Sequence, residues 1–307
     1  MTGPVIASAP SSPPAVGPGS AVRPAAARVL AGPARRRGGA RPGRVLRGVL
    51  MTLLSVFTVV PLLMVVVLAL SPADAPTIPY ALPDSLTLDN LATVLQVGAF
   101  PQWFANSLVY ATVSVVVVLL TAAMAAYALA RKRFPGRNLL LWSIVATLMV
   151  PMQATLIPTF ILVARVNGVN TLWGLILPTL ANAQAVFLIR QFIRDLPDDV
   201  FEAARLDGAG EWRTFVSIVL PLIRPILATL AIFVFLWHWN DLLWPLVVGQ
   251  SDEARTLTVG LATLNTETVS TANVMAAALI SFVPCLIIFV LLQRQIVAGI
   301  LSGAVKG

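Results

Sequence analysis

Long apolar stretches separated by short polar segments dominate this chain. A helix needs roughly 20 apolar residues to cross a hydrocarbon layer about 30 Å thick. Six stretches meet that requirement, at about residues 48–70, 107–130, 139–163, 171–190, 225–248 and 274–292. The pattern therefore predicts an all-α integral membrane protein with six transmembrane helices.

Composition agrees with this prediction. Hydrophobic residues make up 58% of the chain and charged residues only 11%, against about 25% charged residues in a typical soluble domain. The net charge of +8 would favour nucleic acid only if the basic residues formed one water-facing patch. Here they flank the apolar stretches instead, so the sequence predicts a lipid bilayer as partner and no nucleic acid.

The distribution of basic residues also predicts the orientation. Lys and Arg are enriched in the loops that face the cytosol. With the N-terminus inside, all of the 21 basic residues except Arg165 and Arg255 lie on the cytosolic side. We therefore expect both termini to be cytosolic.

The first part of the chain differs from the rest. Residues 1–43 are rich in Ala, Pro, Gly and Arg without apolar periodicity, which predicts a disordered basic tail in the cytosol before a membrane domain at 44–307. The first apolar stretch is longer than the roughly 7 to 15 residues of a cleavable signal core. An uncleaved first span is therefore favoured, although Ala73-Asp74-Ala75 resembles a cleavage site.

A long polar loop at 192–224, between the fourth and fifth spans, is predicted to be cytosolic. Asp198 and Asp199 can cap a first short helix, and Gly208 can end it because glycine tolerates positive φ. Its apolar face would contain Val200, Phe201, Ala204 and Leu206.

A second short helix is predicted in this loop from about Glu211 to Val219, with Pro221 stopping it. Two short helices joined rigidly to a spanning helix could pass force from the cytosol into the membrane.

This loop carries a recognisable motif. Glu202-Ala203-Ala204, Gly208 after three further residues, Ile218 after nine more and Leu220-Pro221 match the EAA loop of ABC importer permeases. The chain resembles the carbohydrate-uptake branch, and the second permeases of maltose-type systems in particular. Further similar segments are Arg205 to Ala209, Ile218 to Leu222, Asn106-Ser107-Leu108, Ala126-Tyr127-Ala128, Pro151-Met152-Gln153, Trp239-Asn240-Asp241 and Gly303 to Gly307.

The resemblance implies a type I ABC importer permease fold in a bacterial-type cell membrane. It implies four kinds of partner: a second permease subunit, two ATPase subunits, an extracytoplasmic sugar-binding protein and the lipid bilayer. The loop would act as a coupling helix that docks on the ATPase. The residues that the resemblance assigns to this coupling are Glu202, Ala203, Ala204, Asp207, Gly208, Ile218, Leu220 and Pro221.

The residues predict no catalytic, metal or nucleotide site. A phosphate loop needs a Gly-Lys pair, and neither Lys132 nor Lys306 provides one. His238 has no partner histidine, so a structural role is favoured. No cofactor is expected in this chain, and the resemblance implies that ATP and Mg²⁺ bind to the partner ATPase.

Polar residues within the spans are candidates for the translocation path. These are Gln153, Asn182, Gln184, Asn240 and Asp241. Amides suit sugar hydroxyls, but hydrogen bonds between helices are their more common use. An interfacial anchor is an equal alternative for Asp241.

Two other classes of function, a gradient-driven transporter or channel and an intramembrane enzyme, have less support in the sequence. A gradient-driven transporter or channel would favour charges in the middle of the membrane and repeated halves, of which the sequence shows only Asp241. An intramembrane enzyme would need a nucleophile with its base or a pair of acids, which the sequence does not show.

Overall fold

The computed structural model describes residues 42–73, 83, 85–96, 98–264 and 269–304, and these residues form helices without any β-strand. The helices are α1 (Pro42–Ala69), α2 (Asp89–Gln96), α3 (Phe100–Arg131), α4 (Arg137–Thr147), α5 (Met152–Arg165), α6 (Leu172–Ile176), α7 (Ala183–Arg194), α8 (Asp198–Leu206), α9 (Glu211–Thr214), α10 (Leu220–Leu222), α11 (Arg224–Trp239), α12 (Leu243–Val248), α13 (Leu257–Thr263) and α14 (Thr271–Ala304). The all-α prediction is confirmed.

The chain divides into two compact units, residues 1–54 and 55–307. The described part of the first unit is helical, and its side chains at 46–54 are exposed and apolar apart from Arg47, Gly48 and Thr52. The predicted tail at 1–43 lies outside the described residues, except for the first two residues of α1.

Some of the predicted spans are single helices, and others are broken into two helices. Among the described residues, α1, α3 and α14 are long and apolar enough to cross a membrane as single helices. Three further pairs reach that length only if each bent pair counts as one span. They are α4 with α5 (102°), α6 and its 3₁₀ turn with α7 (45°), and Glu211–Leu222 with α11 (74°).

Three predicted spans, 139–163, 171–190 and 225–248, are therefore interrupted, the second of them between Thr179 and Ala183. The stretch at 139–163 is two helices, because Pro151 is extended (ψ 133°) and starts α5 as its N-cap. The stretch at 225–248 ends its helix at Trp239, and Leu243–Val248 forms a separate helix.

Helix α3 is the central element, and it contributes to all three apolar clusters of the core. It packs against α7 and α11. Ala122 and Ala126, which lie one turn apart, are buried and allow this close approach.

The N-terminal half of α3 also holds the segment between α12 and α13. The Asn106 amide donates to the carbonyls of Glu253 and Arg255, at 2.9 Å each. The Ser107 hydroxyl accepts from the backbone N–H of Leu257 at 2.8 Å. The short helices α2 and α13 on this side were not predicted from the apolar pattern, because each is too short to span a membrane.

Candidate functional site

The loop at 192–224 folds into two short helical segments that meet at a glycine. Gly208 has φ +69°, the left-handed region in which glycine carries no steric cost. The N–H of Ala209 then donates to the carbonyl of Ala204 at 2.9 Å, which closes the end of α8. The expected role of Gly208 in ending this helix is confirmed.

Other details of the loop differ from the prediction. Pro197 occupies the N-cap of α8, so Asp198 and Asp199 lie in its first turn and do not cap it. Phe201 and Ala204 are buried, but Leu206 is 89% exposed and does not belong to the apolar face. In the helical arrangement, Leu206 lies outside the row that the other apolar residues form along one side of α8.

The second segment is also longer than predicted. It continues from Glu211 to Leu222 through a π-helical stretch at Phe215–Val219, so Pro221 does not stop it. Proline has no N–H to donate, and Pro221 follows directly on this π-helical stretch, where the regular α-helical hydrogen-bond pattern is already interrupted. The bend of 74° comes after Leu222 instead.

Arg131, at the end of α3, holds the first segment. Its guanidinium donates to the carbonyls of Ile193 at 2.9 Å and Leu196 at 2.6 Å, and it forms an ion pair with Asp198. It also lies 4.0 Å from the centre of the Phe201 ring. One side chain therefore fixes the end of α7, the start of α8 and the residue that precedes Glu202.

Two neighbouring side chains of α3 hold the second segment. Lys132 forms an ion pair with Glu211, and the Tyr127 hydroxyl donates to the same carboxylate at 2.9 Å. These two hydrogen bonds, with that of Lys132 the stronger influence, hold the pKa of Glu211 below its usual value. The Tyr127 ring also packs against Phe215, with ring centres 5.5 Å apart.

The residues of the motif are distributed over both sides of the loop. Ala204 is buried against the core, and Ile218 and Leu220 are half-buried. The exposed members are Glu202, Ala203, Asp207, Gly208 and Pro221. Trp212 is 69% exposed, so the water-facing side of the loop carries two large apolar side chains, Trp212 and Leu206.

A second candidate site is a cavity of about 720 Å³ within the helix bundle. Asn182, Gln184 and Asp241 line it, together with Tyr110, Trp237 and several threonines. Gln153 and Asn240 are not among its lining residues. Gln153 is exposed on α5, and the Asn240 amide donates to the carbonyl of Leu236 in its own helix at 2.8 Å.

The polar residues of the cavity have structural contacts as well. The Asn182 carboxamide oxygen accepts from the N–H of Ala185 at 2.8 Å and so caps α7. The Tyr110 hydroxyl donates to the Asp241 carboxylate at 3.0 Å, which links α3 to the segment after α11. The His238 ring lies 2.7 Å from the Val234 carbonyl and 3.1 Å from the Thr179 hydroxyl, as expected for a structural histidine.

The sequence interpretation missed the three residues of α3 that hold the loop. Tyr127, Arg131 and Lys132 lie at the C-terminal end of a long apolar helix, where the positive-inside bias expected from the sequence already accounts for basic residues. The available signal was Tyr127 one helical turn before Arg131, in the mainly apolar C-terminal half of the helix. That spacing places both side chains on one face, towards the loop.

Comparisons with known proteins identify the class to which this fold and loop belong. Residues 118–302 match the family described as the inner membrane component of binding-protein-dependent transport systems. The match covers more than half of the chain, and the chain belongs to this family. It is accordingly a permease subunit of an ABC importer, as the loop motif indicated.

Two curated relatives are similar over most of their length. The chain is 40% identical over 227 residues to the arabinooligosaccharides transport system permease protein AraQ of Halalkalibacterium halodurans, covering 73% of this chain and 81% of that protein. It is 34% identical over 263 residues to the diacetylchitobiose uptake system permease protein NgcG of Streptomyces coelicolor, covering 84% and 87%.

A solved structure supports the fold. A chain of a bacterial ABC transporter involved in the import of the acidic polysaccharide alginate aligns with a TM-score of 0.76 at 24% identity, covering 84% of this chain and 97% of that chain. Identity at this level shows the fold alone. The predicted type I importer permease fold is confirmed.

Proposed function

We propose that this chain is one permease subunit of an ATP-driven importer of sugars, paired with a second permease and served by two ATPase subunits and an extracytoplasmic sugar-binding protein. The sugar assignment is supported by the two relatives, which are named as permease proteins of an arabinooligosaccharides transport system and a diacetylchitobiose uptake system. The chain itself supplies no ATP site, and ATP with Mg²⁺ binds to the ATPase. Both termini lie in the cytosol.

The observation that carries the ATPase coupling is the attachment of the loop. Arg131 and Lys132 tie both short segments to the central helix, while Glu202, Ala203 and Gly208 remain exposed on the other side. A partner that moves α8 would therefore displace α3 and the helices packed on it. The small Ala203 allows a close approach, and Glu202 offers a charge to a basic residue of the partner.

The apolar exposed side chains of the loop support the same role. Trp212 and Leu206 are large apolar groups facing water, and aromatic residues often dominate the binding energy of interfaces. Their exposure has no benefit for a loop that contacts only solvent. A gradient-driven transporter would not need such a surface.

Co-purification tests this function. The tagged chain, expressed with the genes that surround it, should bring down an ATPase and a second permease in detergent. In proteoliposomes, ATP hydrolysis should rise when a sugar-loaded binding protein is added. We expect Glu202→Ala to lower this stimulation at least fivefold, and the matched variant Asp199→Ala on the same helix to lower it less than twofold. A purified chain without any ATPase would refute the proposal.

A further inference from the structure

One arginine near the end of α7 is buried without a counter-charge. Arg190 is only 8% exposed. Its Nε–H donates to the Leu129 carbonyl over a long distance of 3.4 Å. Within the described part of the chain, its two terminal nitrogens have no hydrogen-bond partner, and it forms no ion pair. A buried charge is costly unless a partner neutralises it, so this guanidinium needs an anion.

Two further arginines lie close to this one. Arg194 follows Arg190 by four residues, one turn further along the same face of α7. Arg137 begins α4, which packs against α7. Among the described charged side chains, Arg194 and Arg137 are those close enough to act on the Arg190 guanidinium, and both repel it. These three residues, the arginine cluster, therefore gather like charges at one place.

The neighbouring carboxylates do not neutralise the arginine cluster. Asp198 and Glu211 form their ion pairs with the end of α3. Asp195 directly follows Arg194 in the sequence, but it is not among the groups whose charge acts on Arg190. The ion pairs of the described residues include no member of the cluster. The positive charge is therefore available to an external anion.

An exposed apolar surface begins beside the arginine cluster. No residue of α4 is buried, and its side chains Leu139 and Trp142 are 75% and 67% exposed. In an inner membrane protein, such a surface is suited to acyl chains. Tryptophan is enriched at the level of the lipid headgroups. Trp142, five residues after Arg137, therefore indicates that the cluster lies near the headgroups.

Membrane orientation alone does not account for the arginine cluster. The positive-inside bias concerns basic residues in loops, where water solvates their charge. Arg190 is instead buried in a helix, with Arg194 repelling it from the next turn. Arginine binds phosphate oxygens through two parallel N–H donors, and basic pockets between membrane helices bind lipid headgroups. Burial and convergence of the three guanidinium groups therefore favour a phosphate ligand.

We propose that Arg137, Arg190 and Arg194 bind the phosphate of an anionic phospholipid headgroup, whose acyl chains lie on the exposed apolar surface of α4. The ligand is a lipid and not free phosphate, because the apolar surface starts directly beside the arginine cluster. The site is separate from the proposed import of sugars and does not depend on which sugar is carried.

Native mass spectrometry tests the lipid site. The full chain, purified in detergent with the subunits that accompany it, is supplied with equal amounts of phosphatidylglycerol and phosphatidylcholine. We expect the wild type to retain phosphatidylglycerol at least threefold over phosphatidylcholine. Arg190→Gln and Arg194→Glu should each lower the retained phosphatidylglycerol at least threefold. Arg213→Gln, which removes an exposed positive charge from the loop at 192–224, should lower it less than 1.5-fold.

Each outcome of this experiment decides the proposal. Arg194 is exposed, so Arg194→Glu keeps the test valid if Arg190→Gln does not fold. Equal retention of both lipids by the wild type would overturn the proposal. Unchanged retention in Arg194→Glu would also overturn it, and would indicate that another subunit neutralises the arginine cluster. Excess inorganic phosphate should leave phosphatidylglycerol bound, whereas displacement would assign the site to a free anion.

Thermal unfolding in detergent provides a second measurement. A ligand that binds only the folded protein raises its Tm. Phosphatidylglycerol should therefore raise the Tm of the wild type more than phosphatidylcholine does, and this difference should disappear in Arg137→Gln. Arg165→Gln, at an exposed arginine that ends α5 outside the arginine cluster, should keep the difference. The same lipid effect in Arg137→Gln as in the wild type would contradict the site.

Discussion

The guanidinium of Arg131 lies 4.0 Å from the ring centre of Phe201, so the end of the central helix and the start of the EAA motif are in direct contact. Phe201 is buried in one apolar cluster with Ala126 and Tyr127 of α3. The loop at 192–224 is therefore attached directly to the helix that reaches all three core clusters.

Removing the guanidinium should uncouple the loop. Arg131→Ala loses the ion pair with Asp198, two carbonyl contacts and the contact with Phe201. Hydrogen bonds to charged groups contribute about 1.5 to 3 kcal/mol each. We expect uptake in proteoliposomes to fall at least tenfold. Arg131→Lys should recover little, since an ammonium cannot replace the planar fork.

The neighbouring Arg133 provides the control for this variant. It is exposed at the same end of α3, and Arg133→Ala should retain more than half of the uptake. If both alanine variants transported equally well, the contact of Arg131 with the loop would have no mechanical role.

The left-handed backbone conformation of Gly208 predicts how substitutions at this position affect coupling. A Cβ at this position would meet nothing within 4 Å, so the cost of a side chain comes from the φ of +69° and not from a clash. A non-glycine residue there costs about 1 to 2 kcal/mol, and Asn tolerates the conformation better than others. We expect coupled ATP hydrolysis to decrease in the order wild type, Gly208→Asn, Gly208→Ala, Gly208→Val.

Gly210→Ala distinguishes an effect of backbone conformation at Gly208 from a general loss of chain flexibility at this turn. It has equally open surroundings but a φ of −66°, which any residue can adopt. Gly210→Ala should therefore match the wild type. Equal losses in Gly208→Ala and Gly210→Ala would contradict the conformational explanation.

The Lys132 and Glu211 pair makes a pH-dependent contribution to stability. Because the pKa of Glu211 is lower in the folded protein, its contribution is fully present above the ordinary value near 4.5 and is lost as pH falls through the folded pKa. The difference in Tm between the wild type and Glu211→Gln should be constant from about pH 7 to pH 5 and shrink below that. Thermal unfolding in detergent measures it, and a difference that grew at lower pH would contradict this assignment.

The contact between α13 and α3 offers a packing test. A Cβ on Gly260 would lie 2.1 Å from the Trp103 ring, so α13 depends on this glycine to approach α3. Overpacking typically costs about 1 to 3 kcal/mol. Gly260→Ala should lower Tm by several degrees, and adding Trp103→Leu should restore part of the loss. Double variants that unfold earlier still would show that the two residues do not meet.

Much of the fold followed from the sequence because the membrane imposes a simple rule. A stretch such as 107–130 must be helical in lipid, since backbone groups there have no other partner. The motif also located the loop, because its spacing is fixed by two short helices around Gly208. These features depend on local chain properties.

The breaks and the contacts between distant residues could not be predicted in the same way. The apolar pattern at 139–163 is continuous, and whether the chain bends at Pro151 depends on neighbouring helices that satisfy the freed backbone groups. Likewise, the pairing of Tyr110 with Asp241 joins residues far apart in the sequence. Asn182, Gln184 and Asp241 line one cavity because the breaks before α7 and after α11 bring them together, whereas Gln153 and Asn240 are not among its lining residues.

The most direct test of the account is the side of the membrane on which Leu206 is exposed. In a Cys285→Ala background, Leu206→Cys should react with a membrane-impermeant maleimide in inside-out vesicles but not in right-side-out cells, and bound ATPase should block the reaction. Labelling from the exterior, or labelling that the ATPase does not affect, would contradict a cytosolic coupling loop held by Arg131.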